Sequence, residues 1–513
     1  MAPARLIDNN KTEGRLPVTL SGFLGSGKTT LLENILTSPD HGLRIGVIVN
    51  DVGALNIDAA LLTSHDVTRK EEQVVAMQNG CICCTLRGDL LEEVARLAEE
   101  KRVDYLVIES SGVSEPMQVA ETFSEEFADM HIAAGYDLEA DEGGDKETKK
   151  LAQILKAGGL SKVARLDTCV TLVDAVNFMQ DFATADFLVD RQTDVPEEDD
   201  RNISDLQVDQ VEFADVVIVN KCDLVSKEEV NRIKGVVGKL NPNVKVISTT
   251  KCWLNINEIL DTRLFSYEKA ALSAGWLKSL NEEINPETEE YGVGTFVYRA
   301  RRPFHPERLW NMIKNVFVVI QTEYQIEEED MDVDGTEEAK KEEEEDTDME
   351  DEQPQLDPKA RLASKMADET FGPLLRSKGF LWLATRPRIY GEWSQAGVML
   401  TISEQDLWRC EVPEDEWPRD PETRKAITRD FDGKWGDRRQ ELVFIGQQMR
   451  KGGEERLRKA LDACLLNDEE FRSWEEAMES DNAQERLDEL FEDGFEDWLE
   501  TIHQGHDHGG HSH

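Results

Sequence analysis

The sequence predicts an α/β architecture: a mostly parallel sheet with helices on both faces, followed by a smaller α+β unit. Three observations predict it. An apolar run, Leu16-Pro-Val-Thr-Leu-Ser-Gly22, passes straight into a glycine-rich loop and then into a helical stretch from Thr29. Short β-rich runs, Leu43 to Val49, Val103 to Ile108, Cys169 to Val173, Ala214 to Val219 and Val244 to Ile247, alternate with helical ones, the pattern of parallel strands joined by crossover helices. Each group of chemically distinctive residues follows one of these runs, where open α/β sheets bind their ligands.

Composition narrows the class. The chain has 513 residues, enough for roughly three domains. Its formal net charge is −48, and residues 327–352 carry 17 acidic side chains against Lys340 and Lys341. Such a surface repels phosphate backbones and anionic lipid, so neither a nucleic acid nor a membrane is expected as a partner. No run approaches about 18 consecutive apolar residues, and residues 1–15 are a polar leader without a secretory core, so a cytoplasmic protein is expected. Three of the eight cysteines are clustered and five, Cys169, Cys222, Cys252, Cys410 and Cys464, are scattered. In a reducing compartment such a cluster reads as metal or catalysis, not as a disulfide framework.

The first loop fits G-x-x-x-x-G-K-[ST] with Gly22, Gly27, Lys28 and Thr29, and Gly25 lies inside it. Backbone N–H groups must wrap phosphates closely there, which side chains at the glycines would obstruct. Gly22, Gly25, Ser26, Gly27, Lys28, Thr29 and Thr30 are the expected nucleotide contacts. Lys28 would reach the β and γ phosphates, the Thr29 hydroxyl would ligate Mg²⁺, and the following helix would add its N-terminal dipole.

After the second strand, residues 50–58 (Asn-Asp-Val-Gly-Ala-Leu-Asn-Ile-Asp) form a polar loop that by position is the first switch candidate. Cys81-Ile-Cys83-Cys84 then places three thiols within four residues. Neighbouring cysteines make poor disulfides with each other, whereas three thiolates on one turn can face a single soft ion. Zinc wants four ligands, so one must come from elsewhere in the chain or from water, and Asp51 is the candidate for the fourth. Residues 87–101 read as an amphipathic helix with Leu90, Leu91, Val94 and Leu97 on one side.

The strand ending at Ile108 leads into Glu109-Ser-Ser-Gly112. A carboxylate there belongs on the magnesium side of a phosphate site, and Gly112 could donate its N–H to a γ-phosphate. Lys28, Asp51 and Glu109 are therefore the catalytic candidates. Residues 124–165 and 179–208 read as polar insertions or lids. The strand ending at Val219 delivers Asn220-Lys221-Cys222-Asp223, a spacing that sets a carboxylate against the two guanine nitrogens N1 and N2 and so argues for GTP over ATP. Ser248-Thr249-Thr250 would close the base pocket.

In this order, the phosphate loop, the Asn50-Asp51-x-Gly53 loop with Asp58, Cys81-x-Cys83-Cys84, Glu109-Ser-Ser-Gly112 and Asn220-Lys-Cys-Asp223 resemble the CobW-like, zinc-regulated GTPase metalloprotein activators. The resemblance spans Pro17 to Leu260 and resumes in the second half. It implies a P-loop GTPase fold with a CobW-type C-terminal domain, zinc or a similar ion such as cobalt on Cys81, Cys83 and Cys84, slow GTP hydrolysis, and release of metal to a client apo-metalloprotein under nucleotide control. Two features depart from the family. Asp51 stands where glutamate is usual, and residues 1–16 lack the Cys-Pro docking segment of the branch that serves methionine aminopeptidase, so that client is not carried over.

The expected organisation is a GTPase domain over 16–265, a linker over 266–290, and a CobW-like domain over 291–325 and 357–467. An acidic insertion over 326–356, too charged and too poor in apolar residues to fold alone, splits that domain. Residues 468–513 form an acidic C-terminal region. It ends in five of the nine histidines, with His506, His508, His511 and His513 expected to gather divalent metal. The expected function is a GTP-hydrolysing metallochaperone that uses GTP, Mg²⁺ and Zn²⁺, with self-association left open. A metal buffer or sensor with incidental GTPase activity is the alternative, and a P-loop kinase a more distant one.

Overall fold

The structure, a computed structural model, describes residues 16–22, 25–38, 42–49, 66–69, 94, 97, 103–109, 116–121, 123, 164–191, 202–271, 274, 277, 279, 292–321, 358–418, 420–495 and 498. They fall into two compact units, one of Met1–Val297, Leu374–Arg376 and Val443–Gly452, the other of Tyr298–Pro373, Ser377–Leu442 and Gly453–His513.

Among the described residues the first sheet has seven strands: β1 (Leu16–Gly22), β2 (Ile45–Val49), β3 (Asp66–Arg69), β4 (Tyr105–Glu109), β5 (Thr168–Asp174), β6 (Val216–Asn220) and β7 (Lys245–Ser248). Their order is β3-β2-β4-β1-β5-β6-β7, and all six pairings are parallel. The sheet is thus more uniform than the mostly parallel one expected. The chain winds outward from β1 through β2 and β3, returns to lay β4 beside β1, then crosses to the other side for β5, β6 and β7. That reversal opens a crevice at the carboxyl ends of the central strands. The register aligns those ends: Glu109 pairs with Leu20 and Val49, Gly22 with Leu172, and Asp174 with Asn220.

Alternation along the strands sorts the core onto both faces. Val47, Tyr105, Val107, Val170, Leu172, Val216 and Ile218 pack with Leu31, Leu32, Ile35 and Leu36 of helix α1 (Lys28–Thr37). Their neighbours Ile48, Leu106, Ile108 and Cys169 point the other way, onto Val94, Leu97, Ala120 and Phe123. The α1 leucines and isoleucine recur at helical spacing, which buries one stripe. The helix stops at Ser38, extended as a residue before proline prefers to be. Of the helix expected over 87–101, the described residues Val94 and Leu97 are helical and buried.

Two further helices begin on side-chain caps. In α2 (Ile203–Glu212) the Asn202 carboxamide accepts from Asp205 N at 2.8 Å, and in α3 (Lys227–Leu240) the Ser226 hydroxyl accepts from Glu229 N at 3.1 Å. Residues 179–191 and 202–208, read above as lid or insertion, are packed structure: Phe182, Leu188, Ile203, Leu206 and Val208 are buried. Asp181, Asp186, Asp190, Arg191 and Asp205 interrupt the apolar residues, so no long apolar run marks these helices in the sequence.

The second sheet contains β8 (Val293–Ala300), β9 (Val318–Gln321), β10 (Leu374–Leu381), β11 (Ile389–Ala396), β12 (Met399–Leu407) and β13 (Gln440–Gln447), in the order β8-β13-β10-β11-β12-β9. It is mixed: β11 and β12 are antiparallel, β12 and β9 parallel. Helices α4 (Gly453–Cys464), α5 (Asp468–Met478) and α6 (Ala483–Leu490) follow it. Trp474 of α5 is fully buried against Trp382 and its indole N–H donates to Ala384 O at 2.9 Å. Among the described residues no helix is long and apolar enough to cross a membrane.

Candidate nucleotide site

The carboxyl ends of β1, β4, β5 and β6 carry the described part of the site. Beyond β1, Gly25 and Gly27 take left-handed backbone angles, with φ of +74° and +110°, and Gly27 is the N-cap of α1. Only glycine adopts such angles without strain. The turn tucks Ser26 and Lys28 inward, at 1% and 6% exposure, and leaves Thr29 exposed at the helix start. The first-turn N–H groups of α1 face that end, a ready anion site. Ser26 Oγ is buried without a hydrogen-bond partner among the described residues, an orphaned polar atom beside the helix N-terminus, so the chain fits a phosphate group here.

Asn220, at the end of β6, joins this loop to the other half of the site. Its Nδ2 donates to Ser26 O at 3.0 Å, and its Oδ1 accepts from Cys252 N at 3.0 Å. The Cys252 thiol donates to Gly27 O at 3.4 Å. From about two turns further along α1, Asn34 Nδ2 reaches the carbonyls of Lys251 and Cys252 at 3.0 and 3.1 Å. Lys251 and Cys252 both have positive φ, 51° and 55°, a strained turn that these contacts hold. Burial pushes the Cys252 thiol up to about 12, despite the nearby Lys221 ammonium, so it stays a protonated donor.

Lys221 also sits in the left-handed region, at φ 62°, and its ammonium donates to Asp174 Oδ2 at 2.7 Å. The next residues form a short 3-10 turn that leaves Asp223 exposed, free to accept from a ligand. Cys222 N donates to Thr249 O at 3.2 Å, and Thr249 Oγ1 donates to Trp253 O at 2.8 Å. The strand-end wall expected at Ser248-Thr249-Thr250 is therefore continued by the Lys251-Cys252 turn. Glu109 closes β4, buried at 1% exposure, in register with the last residue of β2.

Of the residues expected to form the site, Gly22, Gly25, Ser26, Gly27, Lys28, Thr29, Thr30, Glu109, Asn220, Lys221 and Asp223 are described, all at this edge of the sheet. Asp51, Gly112, Cys81, Cys83, Cys84, His506, His508, His511 and His513 lie outside the described residues. Among the described residues no group of three or more His, Cys, Asp or Glu is placed to hold a metal. Cys169, Cys222, Cys252, Cys410 and Cys464 are free thiols. Sequence reasoning passed over three residues that build the site: Asn34, Asp174 and Cys252. Asp174 had a signal, an acid directly ending an apolar run, whereas Asn34 and Cys252 are distant in the chain from what they hold.

Comparison with known proteins follows the same division. Residues 17–140 and 139–248 match the family model of the CobW/HypB/UreG nucleotide-binding domain, and 351–465 match that of the cobalamin synthesis protein cobW C-terminal domain. The zinc-regulated GTPase metalloprotein activator 1 of Dictyostelium discoideum is 38% identical over 91% of this chain and 85% of its own. A protein of that name from Schizosaccharomyces pombe is 30% identical over 55% of this chain and 58% of its own. The zinc chaperone CobW of a Sinorhizobium species is 30% identical over 43% of this chain and 55% of its own.

Proposed function

The chain belongs to the CobW/HypB/UreG family, and on that premise we propose that it is a GTPase that binds zinc through Cys81, Cys83 and Cys84 and passes it to a client apo-metalloprotein under nucleotide control. The relatives' names supply zinc and the GTPase; the carrying observation from this chain is the Asn220 clamp. A single side chain ties the phosphate loop at Ser26 to the base-side turn at Cys252, so phosphates and purine would be read by one connected frame.

In this reading the Gly25–Lys28 turn wraps the phosphates with backbone N–H groups, and Lys28 offsets their charge. The Thr29 hydroxyl and the Glu109 carboxylate would hold Mg²⁺, Glu109 through a water. Magnesium, when bound, neutralises charge developing on the transferred phosphoryl group. Asp223 accepts from the guanine N1 and N2. Asp51 would serve the γ-phosphate side and complete the thiolate set. The cysteine turn lies in sequence between the loop after β2 and the loop after β4, both of which would meet the γ-phosphate, so hydrolysis would alter the metal's ligand geometry. The absence of a spanning helix among the described residues suits a cytoplasmic setting, and His506, His508, His511 and His513 would raise the local metal concentration.

The test is zinc affinity, read by competition with a chromogenic chelator, in the presence of GDP and of a non-hydrolysable GTP analogue. The chain would carry alanine at His506, His508, His511 and His513 to silence the tail. The expected result is a difference of about tenfold, or ~1.4 kcal/mol of coupling, abolished by Cys83→Ala. Equal affinity in the two nucleotide states would overturn nucleotide control and leave a GTPase with a static metal.

A further inference from the structure

We propose that Asp174 is a positioning residue for guanine-nucleotide binding, acting through Lys221, whose aliphatic stem it fixes as one wall of the purine site beside Asp223. The proposal rests on the guanine reading above and adds a residue that the N-K-x-D motif does not contain. Asp174 ends β5, directly opposite Asn220 in the β5–β6 register. Its carboxylate is nearly buried, and three donors converge on it: Val176 N on Oδ1 at 2.9 Å, Asn177 Nδ2 on Oδ2 at 2.9 Å, and Lys221 Nζ on Oδ2 at 2.7 Å. The first two come from the turn that follows β5, so the acceptor is fixed independently of the lysine.

Lys221 is a long side chain with about 2 kcal/mol of rotamer entropy, mounted on a left-handed backbone that aims it away from the usual path. Left alone it would sample solvent. Drawn back to Asp174, its stem crosses from the end of β6 toward β5, on the side of the phosphate loop. The adjacent turn keeps Asp223 exposed for the base edge. Two residues of one motif are thereby assigned to different surfaces of the purine, Asp223 to its edge and the Lys221 stem to its face. The ion pair is also the element that makes the lysine's charge unavailable as a general anion contact.

The experiment is a double-mutant cycle on the full chain, with GDP and ADP affinities measured by calorimetry for the wild type, Asp174→Asn, Lys221→Met and the double variant. Asp174→Asn keeps the shape and removes the charge; Lys221→Met keeps an aliphatic stem and removes the ammonium. Asp174→Asn should weaken GDP binding about tenfold, the worth of a charge-assisted hydrogen bond. The double variant should bind no worse than Lys221→Met alone, and Asp174→Glu should restore part of the loss. A double variant whose loss is the product of the two single losses would overturn the proposal, because Asp174 would then act by another route. Unchanged GDP affinity in Asp174→Asn would overturn it as well. Wild-type preference for ADP is a different failure: it would overturn the guanine reading and this proposal with it.

Discussion

Gly27 has no room for a side chain. A Cβ there would stand 2.5 Å from Asn220 Nδ2 and 3.2 Å from Cys252 Sγ, on a backbone at φ +110°. Gly27→Ala therefore combines left-handed strain of roughly 1–2 kcal/mol with displacement of a buried carboxamide whose two bonds contribute about 1 kcal/mol each. GDP affinity should fall about 100-fold, while circular dichroism shows the sheet intact. Calorimetry that finds near-normal affinity would mean the loop can shift without dragging Asn220. How far the site was legible depends on where each residue keeps its chemistry. Gly27, Lys28, Asn220 and Asp223 announce themselves because their motifs put spacing and residue type in a few consecutive letters. Cys252 is 225 residues from Gly27 and Asn34 is 217 from Lys251; only folding makes them neighbours. Nothing local distinguishes this cysteine from any other packed one.

At the scale of elements, burial decided what could be read. The central strands, such as Val216–Asn220 and Tyr105–Glu109, are four apolar residues closed by one polar residue, buried throughout, and such runs between helices have few other uses. Strand β3 escaped because Asp-Val-Thr-Arg has one strongly apolar residue and four positions. Helix α5 escaped inside an acidic region, although its signals are present: an Asn467–Glu470 capping box and Phe471, Trp474, Ala477 and Met478 at helical spacing. Trp474→Ala should destabilise its unit by about 3–5 kcal/mol, read as a lower urea midpoint, with Trp474→Phe costing less. A change below 1 kcal/mol would show the aromatic cluster to be dispensable. The same helix predicts a pH response. Glu470 takes two hydrogen bonds from Arg308, at 2.7 and 2.8 Å, and one from Asn467 N, which hold its carboxyl down at about 2 despite some burial. An unfolded glutamate titrates near 4.3. The interaction therefore contributes fully above that value and is lost as pH falls through about 4 toward 2. Glu470→Gln should flatten the fall in urea midpoint over that range; an equal fall in both proteins would assign it to other carboxylates.

The whole molecule carries 106 acidic against 58 basic residues, and such an excess pushes the compact state apart. Ion pairs act in the opposite sense. Arg302 to Asp468 and Lys245 to Glu258, both at 2.8 Å, join partly exposed groups, and pairs of that kind are worth about 0–1 kcal/mol each. Added salt weakens both effects, so its net direction shows which is larger. Between about 0.01 M and 0.15 M the screening length shortens from about 30 Å to about 8 Å, which hardly touches contacts at 2.8 Å but removes most repulsion across the width of a domain. The thermal midpoint should therefore rise over this interval in potassium chloride, without divalent metal or nucleotide. A falling midpoint would mean that the ion pairs outweigh the net charge. The acidic segment offers a second measurement. Residues 327–352 account for −15 of the −48, leaving −33 on the remainder. A variant lacking them should still show a salt-induced rise, because a net charge of −33 remains on the rest of the chain. If the rise disappears with the deletion, the charge that matters is confined to residues 327–352.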